Sequence, residues 1–227
     1  MDIELAAKRR TIAIIFNDSQ RLKMIYYDLH GNKIAQDEFI KLYNNIYYYL
    51  NDYKSEAKIE KIYKRNYDIT SEEIVSFLRW KVGDKEKRDS ITTQYGAKIN
   101  LSEFDRISKD AEICKGSKDT KELYQAIVDK KVKNVGAVYT LALVSVITKE
   151  EPIYDKFAKI AIDAIQDENC GFREVRDYTE LPEKTNIKGV MEKYAEYKEQ
   201  LVTTFGNAWK TNRDIDRALW TYGHLFQ

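Results

Sequence analysis

Cysteine is scarce in this 227-residue chain, which contains only Cys114 and Cys170. The two lie far apart, and neither belongs to a CxxC pair. Disulfide frameworks and cysteine-ligated zinc or iron–sulfur centres need several cysteines at short spacing. The sequence therefore predicts no disulfide framework and no zinc or iron–sulfur site, and this cysteine usage fits a reducing cytoplasm. We also expect no other metal site and no cofactor.

No apolar run reaches the length of a membrane span. The run at residues 11–16, near the N-terminus, is too short to cross a bilayer, and no signal-type cleavage site follows it. We expect a soluble, cytoplasmic protein that has no membrane partner.

Proline and glycine are also few, with two and nine residues against 17 tyrosines. This balance favours long helices over a turn-rich sheet sandwich, so we predict an all-α fold. No internal repeat, low-complexity tract or linker is visible. We therefore treat residues 1–227 as a single helical unit, with residues 119–166 as its central element and a subdivision near residue 116 as the alternative.

Neither sign of charge predominates, because 38 basic and 37 acidic side chains leave a formal net charge of +1. A field this weak cannot attract nucleic acid over the whole surface. The balance argues against a nonspecific DNA coat protein, and any nucleic-acid partner has to be held by a local patch.

Apolar residues recur at helical spacing over most of the chain. The clearest start signal is a capping box at Thr70 and Glu73, where side chains satisfy free backbone N–H groups; it predicts a helix that ends near Val82. We interpret residues 84–90 as a solvated charge run, and residues 91–100 and 166–185 as loops. The other helices are indicated around residues 39–50, 57–63, 102–116, 120–128, 138–146, 157–161, 187–206 and 215–226.

Residues 4–34 fit two structures. Their β-branched residues are compatible with strands, and residues 29–33 with a turn between strands. Their apolar spacing also fits helices. We favour helices for this segment and keep a short hairpin as the alternative.

A lysine-rich connection joins two of the predicted helices, the first of which is capped by Asp119 or Thr120. This connection, residues 130–136, has three lysines and ends in glycine, and we call it the lysine turn. Such a turn allows backbone N–H groups and the positive end of the second helix to approach an anion, while lysines add salt-sensitive phosphate contacts. An ordinary corner of a helical bundle with a solvated tip is the alternative.

The order of this turn, an apolar helix and then residues 152–157 (Pro-Ile-Tyr-Asp-Lys-Phe) resembles the helix-hairpin-helix DNA glycosylase superfamily, particularly its 8-oxoguanine-glycosylase-like members. In that family the hairpin usually reads Pro-Gly-Val-Gly; here residues 134–137 read Asn-Val-Gly-Ala, with Asn134 at the first glycine of that pattern and Gly136 at the second. Residues 216–223 are also similar to the closing helix of bacterial proteins with this fold. Residues 1–118 match only in being helical.

The resemblance implies duplex DNA as the partner and a damaged, flipped base as the substrate. It also implies that Asp155 stabilises the oxocarbenium-like sugar and helps to activate water. The alternative role of Asp155 is that of a helix cap. The residues implied to contact DNA are Lys130, Lys131, Lys133, Asn134 and Gly136.

Two positions depart from the family pattern. Asn134 stands at the first hairpin glycine, and asparagine is the non-glycine residue that best tolerates a left-handed backbone. Val138 stands where strand-cleaving members carry a lysine nucleophile, and the adjacent Tyr139 does not restore an amine, so Schiff-base chemistry is excluded at this position. We therefore expect a monofunctional glycosylase of DNA repair, a hydrolase that leaves the strand uncut. The alternatives are a noncatalytic DNA-binding protein that keeps the fold and a protein-interaction domain.

Other candidates are weaker. His30 and His224 are too isolated for a metal site or a catalytic triad. The tryptophans lie on helical stripes, where core packing is more typical than base stacking. They are Trp80, Trp209 and Trp220.

Overall fold

The computed structural model describes residues 24–51, 53–64, 68–82, 90–92, 96–100, 119–210 and 213–226, with isolated residues between 102 and 113. The predictions for residues 4–23, for the charge run at 84–89 and for most of the segment 102–116 lie outside the described residues. Within them the chain is mostly helical, which confirms the all-α prediction.

Eight α-helices lie in the described part of the chain. They are α1 (Gln36–Leu50), α2 (Tyr53–Lys64), α3 (Ser71–Lys81), α4 (Thr120–Asp129), α5 (Ala137–Thr148), α6 (Lys156–Gln166), α7 (Ile187–Phe205) and α8 (Arg213–Gly223). Short 3₁₀ helices follow α7 and α8, at Gly206–Lys210 and His224–Phe226. Among the described residues, none of these helices has both the length and the apolar composition needed to span a bilayer.

The first short hairpin pairs β1 (Tyr26–Tyr27) with β2 (Lys33–Ile34), so the favoured helix is wrong here and the alternative hairpin is correct. The Asp28 carboxylate accepts hydrogen bonds from the backbone N–H groups of His30 and Asn32, both at 2.8 Å. Gly31 then takes a left-handed φ of +84°. These local hydrogen bonds and the glycine form a turn in place of a helix.

A second hairpin pairs β3 (Ser90–Thr92) with β4 (Lys98–Asn100), where a loop was predicted, so that prediction is wrong for these two segments. Along β4, buried Ile99 lies between two exposed residues. Alternation over three residues is too short to be recognised as a strand in the sequence.

The chain forms two compact units, each built from separate segments. The first combines residues 1–47, 156–178 and 196–227, and the second combines residues 48–155 and 179–195. The prediction of one helical unit, with a possible boundary near residue 116, stays a prediction.

The first unit has an aromatic core in which the rings of Phe39, Tyr43 and Tyr222 contact one another at centroid distances of 4.9 to 5.0 Å. Helices α6 and α8 approach so closely that a Cβ on Gly223 would lie 2.0 Å from the carbonyl oxygen of Phe157. Glycine at this position is therefore a packing requirement.

The second unit packs α3 and α4 against α5, which is buried over most of its circumference. The predicted capping box is present at the start of α3: the Thr70 side chain accepts from the N–H of Glu73, and the Glu73 carboxylate accepts from the N–H of Thr70. The Asp119 side chain caps α4 by accepting from the N–H of Lys121 at 2.8 Å. The sequence signals for both helix starts are confirmed.

Candidate functional site

The lysine turn reverses the chain between α4 and α5. Val132 and Val135 are each only 3% exposed, so they anchor the turn to the second unit. Lys131 and Asn134 adopt left-handed backbone conformations, with φ of 52° and 61°. Asparagine at 134 thus occupies the conformation that it tolerates better than other non-glycine residues do.

Two tertiary hydrogen bonds hold the backbone of the lysine turn. The Nζ of Lys184 donates to the carbonyl of Val132 at 2.7 Å, and the Nδ2 of Asn134 donates to the carbonyl of Lys98 at 2.7 Å. Burial lowers the pKa of Lys184 below the usual lysine value. Both partners, Lys184 and Lys98, lie in segments predicted as loops, and no local sequence pattern marks them.

The three lysines of the turn have different surroundings. Lys130 forms a half-buried ion pair with Asp110, with Nζ 2.6 Å from Oδ2. Lys131 and Lys133 are exposed, and neither forms an ion pair with another residue in the part of the chain that the structure describes. Uncompensated positive charge on this turn therefore comes from Lys131 and Lys133.

Gly136 occupies the N-cap position of α5 and forms no side-chain capping hydrogen bond. The first amide groups of a helix have no partner within the helix, and they lie at the positive end of its dipole. A Cβ at Gly136 would meet nothing within 4 Å, so the space in front of it is open. Its φ of −83° does not require glycine, and the missing side chain leaves the backbone at this end of the helix accessible.

Asp155 lies just before α6 and pairs with Lys81, the last residue of α3. The Nζ of Lys81 is 2.5 Å from Oδ2 of Asp155, and the two side chains are 7% and 15% exposed. The same Nζ lies 3.5 Å from the carbonyl of Tyr154. Sequence reasoning missed Lys81, because residues 74 positions apart carry no sign of their contact.

Side chains from three helices hold the loop that leads to this carboxylate. The hydroxyl of Ser145 donates to the carbonyl of Glu151 at 2.7 Å, and the hydroxyl of Thr120 donates to the Glu151 carboxylate at 2.6 Å. The hydroxyl of Tyr194 donates to the carbonyl of Pro152 at 2.7 Å. A carboxylate that follows such a fixed loop is preorganised, as a reacting group should be.

The candidate residues thus fall in two groups. The lysine turn precedes α5, and the loop that ends at Asp155 follows α5. The 12 residues of that helix span about 18 Å, so the two groups begin at opposite ends of it.

Among the histidine and tryptophan candidates, His224, Trp220 and Trp80 have structural contacts. His224 stacks on Phe157 with ring centroids 3.4 Å apart, and its Nδ1 lies 2.7 Å from the carbonyl of Trp220. The indole N–H of Trp80 donates to the carboxylate of Glu56, which is 1% exposed. None of these contacts indicates a ligand.

Comparison of the chain with protein-family models, with curated proteins and with solved structures gave no match. Within the described residues, no group of three histidine, cysteine, aspartate or glutamate side chains is placed to hold a metal ion. A functional assignment therefore rests on the two groups of residues described above.

Proposed function

We propose that the protein binds duplex DNA, with the phosphate backbone held at the lysine turn. The observation that supports this most is the pair of exposed lysines, Lys131 and Lys133, on a backbone that buried valines and two tertiary hydrogen bonds keep in place. The open N-terminal end of α5 supplies amide groups beside them.

Lysines that neutralise phosphates release counterions, so this binding depends strongly on salt. A turn that is already ordered loses little conformational entropy when it binds. A local patch of this kind is also what a chain of net charge +1 requires, because its overall field is weak.

We further propose that Asp155 is the catalytic carboxylate of a monofunctional DNA glycosylase that acts in repair. The bond broken is the N-glycosidic bond of a damaged base, which has to leave the base stack before a protein group can reach it. A carboxylate at the end of a loop that side-chain hydrogen bonds hold in place suits the stabilisation of a cationic sugar. Val138 stands where a lysine nucleophile would be needed for strand cleavage, so the proposed reaction ends with an abasic site.

Base release from lesion-bearing duplexes tests the catalytic part. Asp155→Asn is expected to abolish release and to leave duplex binding almost unchanged. Because this variant leaves Lys81 buried without a counter-charge, the double variant Lys81→Gln, Asp155→Asn keeps a neutral polar contact at the same place and serves as the folding control. A wild-type protein that is inert on a broad lesion panel would count heavily against the glycosylase.

A second candidate is a noncatalytic DNA-binding protein. It is favoured by the low exposure of Asp155, 15%, and by the ammonium that already occupies one of its oxygens. Under this proposal Lys131→Glu and Lys133→Glu weaken duplex binding, while Asp155→Asn changes no turnover, because there is none to change.

A further inference from the structure

We infer that strand β4 is a second DNA-contacting element, that Lys98 is its phosphate contact, and that Asn134 links it to the lysine turn. This inference rests on the proposed duplex binding. It adds a strand-based element that lies outside the motif through which binding was first suggested.

The link is a single side-chain hydrogen bond. The amide of Asn134, a residue in the middle of the lysine turn, donates to the carbonyl of Lys98 on β4 at 2.7 Å. Glycine at position 134 would adopt the same left-handed backbone but has no group to donate. The asparagine therefore does two things, since it permits the turn and also holds β4 against it.

The hairpin directs Lys98 outwards. Ile99 pairs with Ile91 across the two strands and is 2% exposed, which fixes the face of β4 that is buried. Successive residues on a strand point to opposite faces, so Lys98 lies on the open face, where it is exposed.

Lys98 thus joins Lys131 and Lys133 on adjacent exposed segments of the second unit. Duplex DNA carries about one negative charge per 1.7 Å of helix axis, so neighbouring cations on a protein each find a phosphate. The partner that fits two lysines on the turn and one on the adjoining strand β4 is a polyanion with closely spaced charges, and we commit to duplex DNA.

The test is the salt dependence of affinity for a duplex of arbitrary sequence, with Lys98→Ala compared with Lys131→Ala. Lys64→Ala on α2 is the matched control, since Lys64 is 78% exposed and belongs to the same unit. Each of the first two substitutions should make the slope of log K against log salt concentration shallower by about 0.9, and the control should leave it unchanged.

The outcomes separate the two claims. If wild-type protein binds, and Lys131→Ala but not Lys98→Ala makes the slope shallower, the hairpin inference is overturned while the proposed duplex binding stands. If wild-type protein does not bind at low salt, both are overturned.

The role of Asn134 is tested by a double-mutant cycle with Asn134→Gly, which keeps the turn and removes only the donor. In the wild-type background, we expect Asn134→Gly to weaken duplex binding several-fold. In the Lys98→Ala background it should cause no further loss, because both substitutions remove the same contact with DNA. Independent, additive losses would show that Asn134 does not act through Lys98. Thermal unfolding of each variant establishes that the turn remains folded.

Discussion

The Nζ of Lys81 lies 2.5 Å from Oδ2 of Asp155, and both side chains of this ion pair are largely buried. It joins the last residue of α3 to the residue before α6. Removing one partner of a buried pair costs much more than the pair contributes, because the other charge is then left without compensation. Stability of the second unit should therefore depend on Lys81.

Lys81→Met is predicted to lower the free energy of unfolding by about 3 kcal/mol, since it removes the cation that pairs with a mostly buried carboxylate. Urea unfolding measures the change. Lys64→Met, at an exposed position that pairs with Glu60 at 3.6 Å, should change stability by less than about 0.5 kcal/mol. Equal stability of the Lys81 variant and wild type would contradict the role given to the pair.

Substitutions of the lysines in the turn should differ in whether they mainly affect duplex binding or stability. Lys131→Ala is predicted to weaken duplex binding several-fold with little change in stability, because its side chain is exposed. Lys130→Ala should instead lower stability by up to about 1 kcal/mol, because it breaks the pair with Asp110, and should affect binding less. Titration of a labelled duplex together with urea unfolding distinguishes them. The reverse order of effects on binding would refute the assignment of Lys131 to the phosphate contact.

Two glycine-to-alanine variants should differ clearly in how much they destabilise the protein. Gly223→Ala is predicted to cost about 3 kcal/mol, because the new Cβ would lie 2.0 Å from the carbonyl oxygen of Phe157. Gly136→Ala meets only open space and should cost less, roughly 0.5 to 1 kcal/mol, which is the difference between glycine and alanine at an N-cap. Thermal unfolding compares them.

Gly136→Ala also tests duplex binding. If an anion approaches the backbone of Gly136, the added methyl group should weaken duplex binding while the protein stays folded. Unchanged affinity would exclude close approach at Gly136 and leave the lysine side chains as the contact.

Alkaline pH should destabilise the protein. Burial raises the pKa of Tyr43, Tyr124 and Tyr222 above the usual value. A raised folded-state pKa means that the stabilisation is fully present below the unfolded value of about 10 and is lost as pH rises above it, by up to about 1.4 kcal/mol per pH unit for each tyrosine.

Urea unfolding at several pH values above about 10 measures this loss. Tyr222→Phe should make the decline shallower, while Tyr49→Phe, at a ring that is 90% exposed, is the control. Equal slopes for the two variants would show that buried tyrosine ionisation does not control alkaline stability.

Local signals predicted local structure well. The Thr70 and Glu73 spacing marked the start of α3 because a capping box is made within four residues. The stripe at residues 187–206 similarly matched α7. The hairpin at β1 and β2 was missed as first choice, because the Asp28 carboxylate and Gly31 act over only a few residues and the apolar spacing there also fits a helix.

The tertiary partners of the candidate residues could not be predicted from local sequence patterns. The Lys81 side chain reaches Asp155 from 74 positions away, and the Asn134 side chain donates to the backbone carbonyl of Lys98, 36 positions away. Lysines are frequent in this chain, and nothing in their local sequence distinguishes a paired lysine from a solvated one. The motif pointed to the turn and the aspartate, whereas their partners emerged only from packing.

The central claim is that the lysine turn holds duplex DNA, and the salt dependence of duplex affinity tests it most directly. Wild-type protein should bind with an affinity that falls steeply as salt rises, and the double variant Lys131→Ala, Lys133→Ala should bind more weakly with a slope that is shallower by about 0.9 per lysine removed. Binding of the double variant with wild-type affinity and slope, or no binding by wild-type protein at low salt, would contradict the claim.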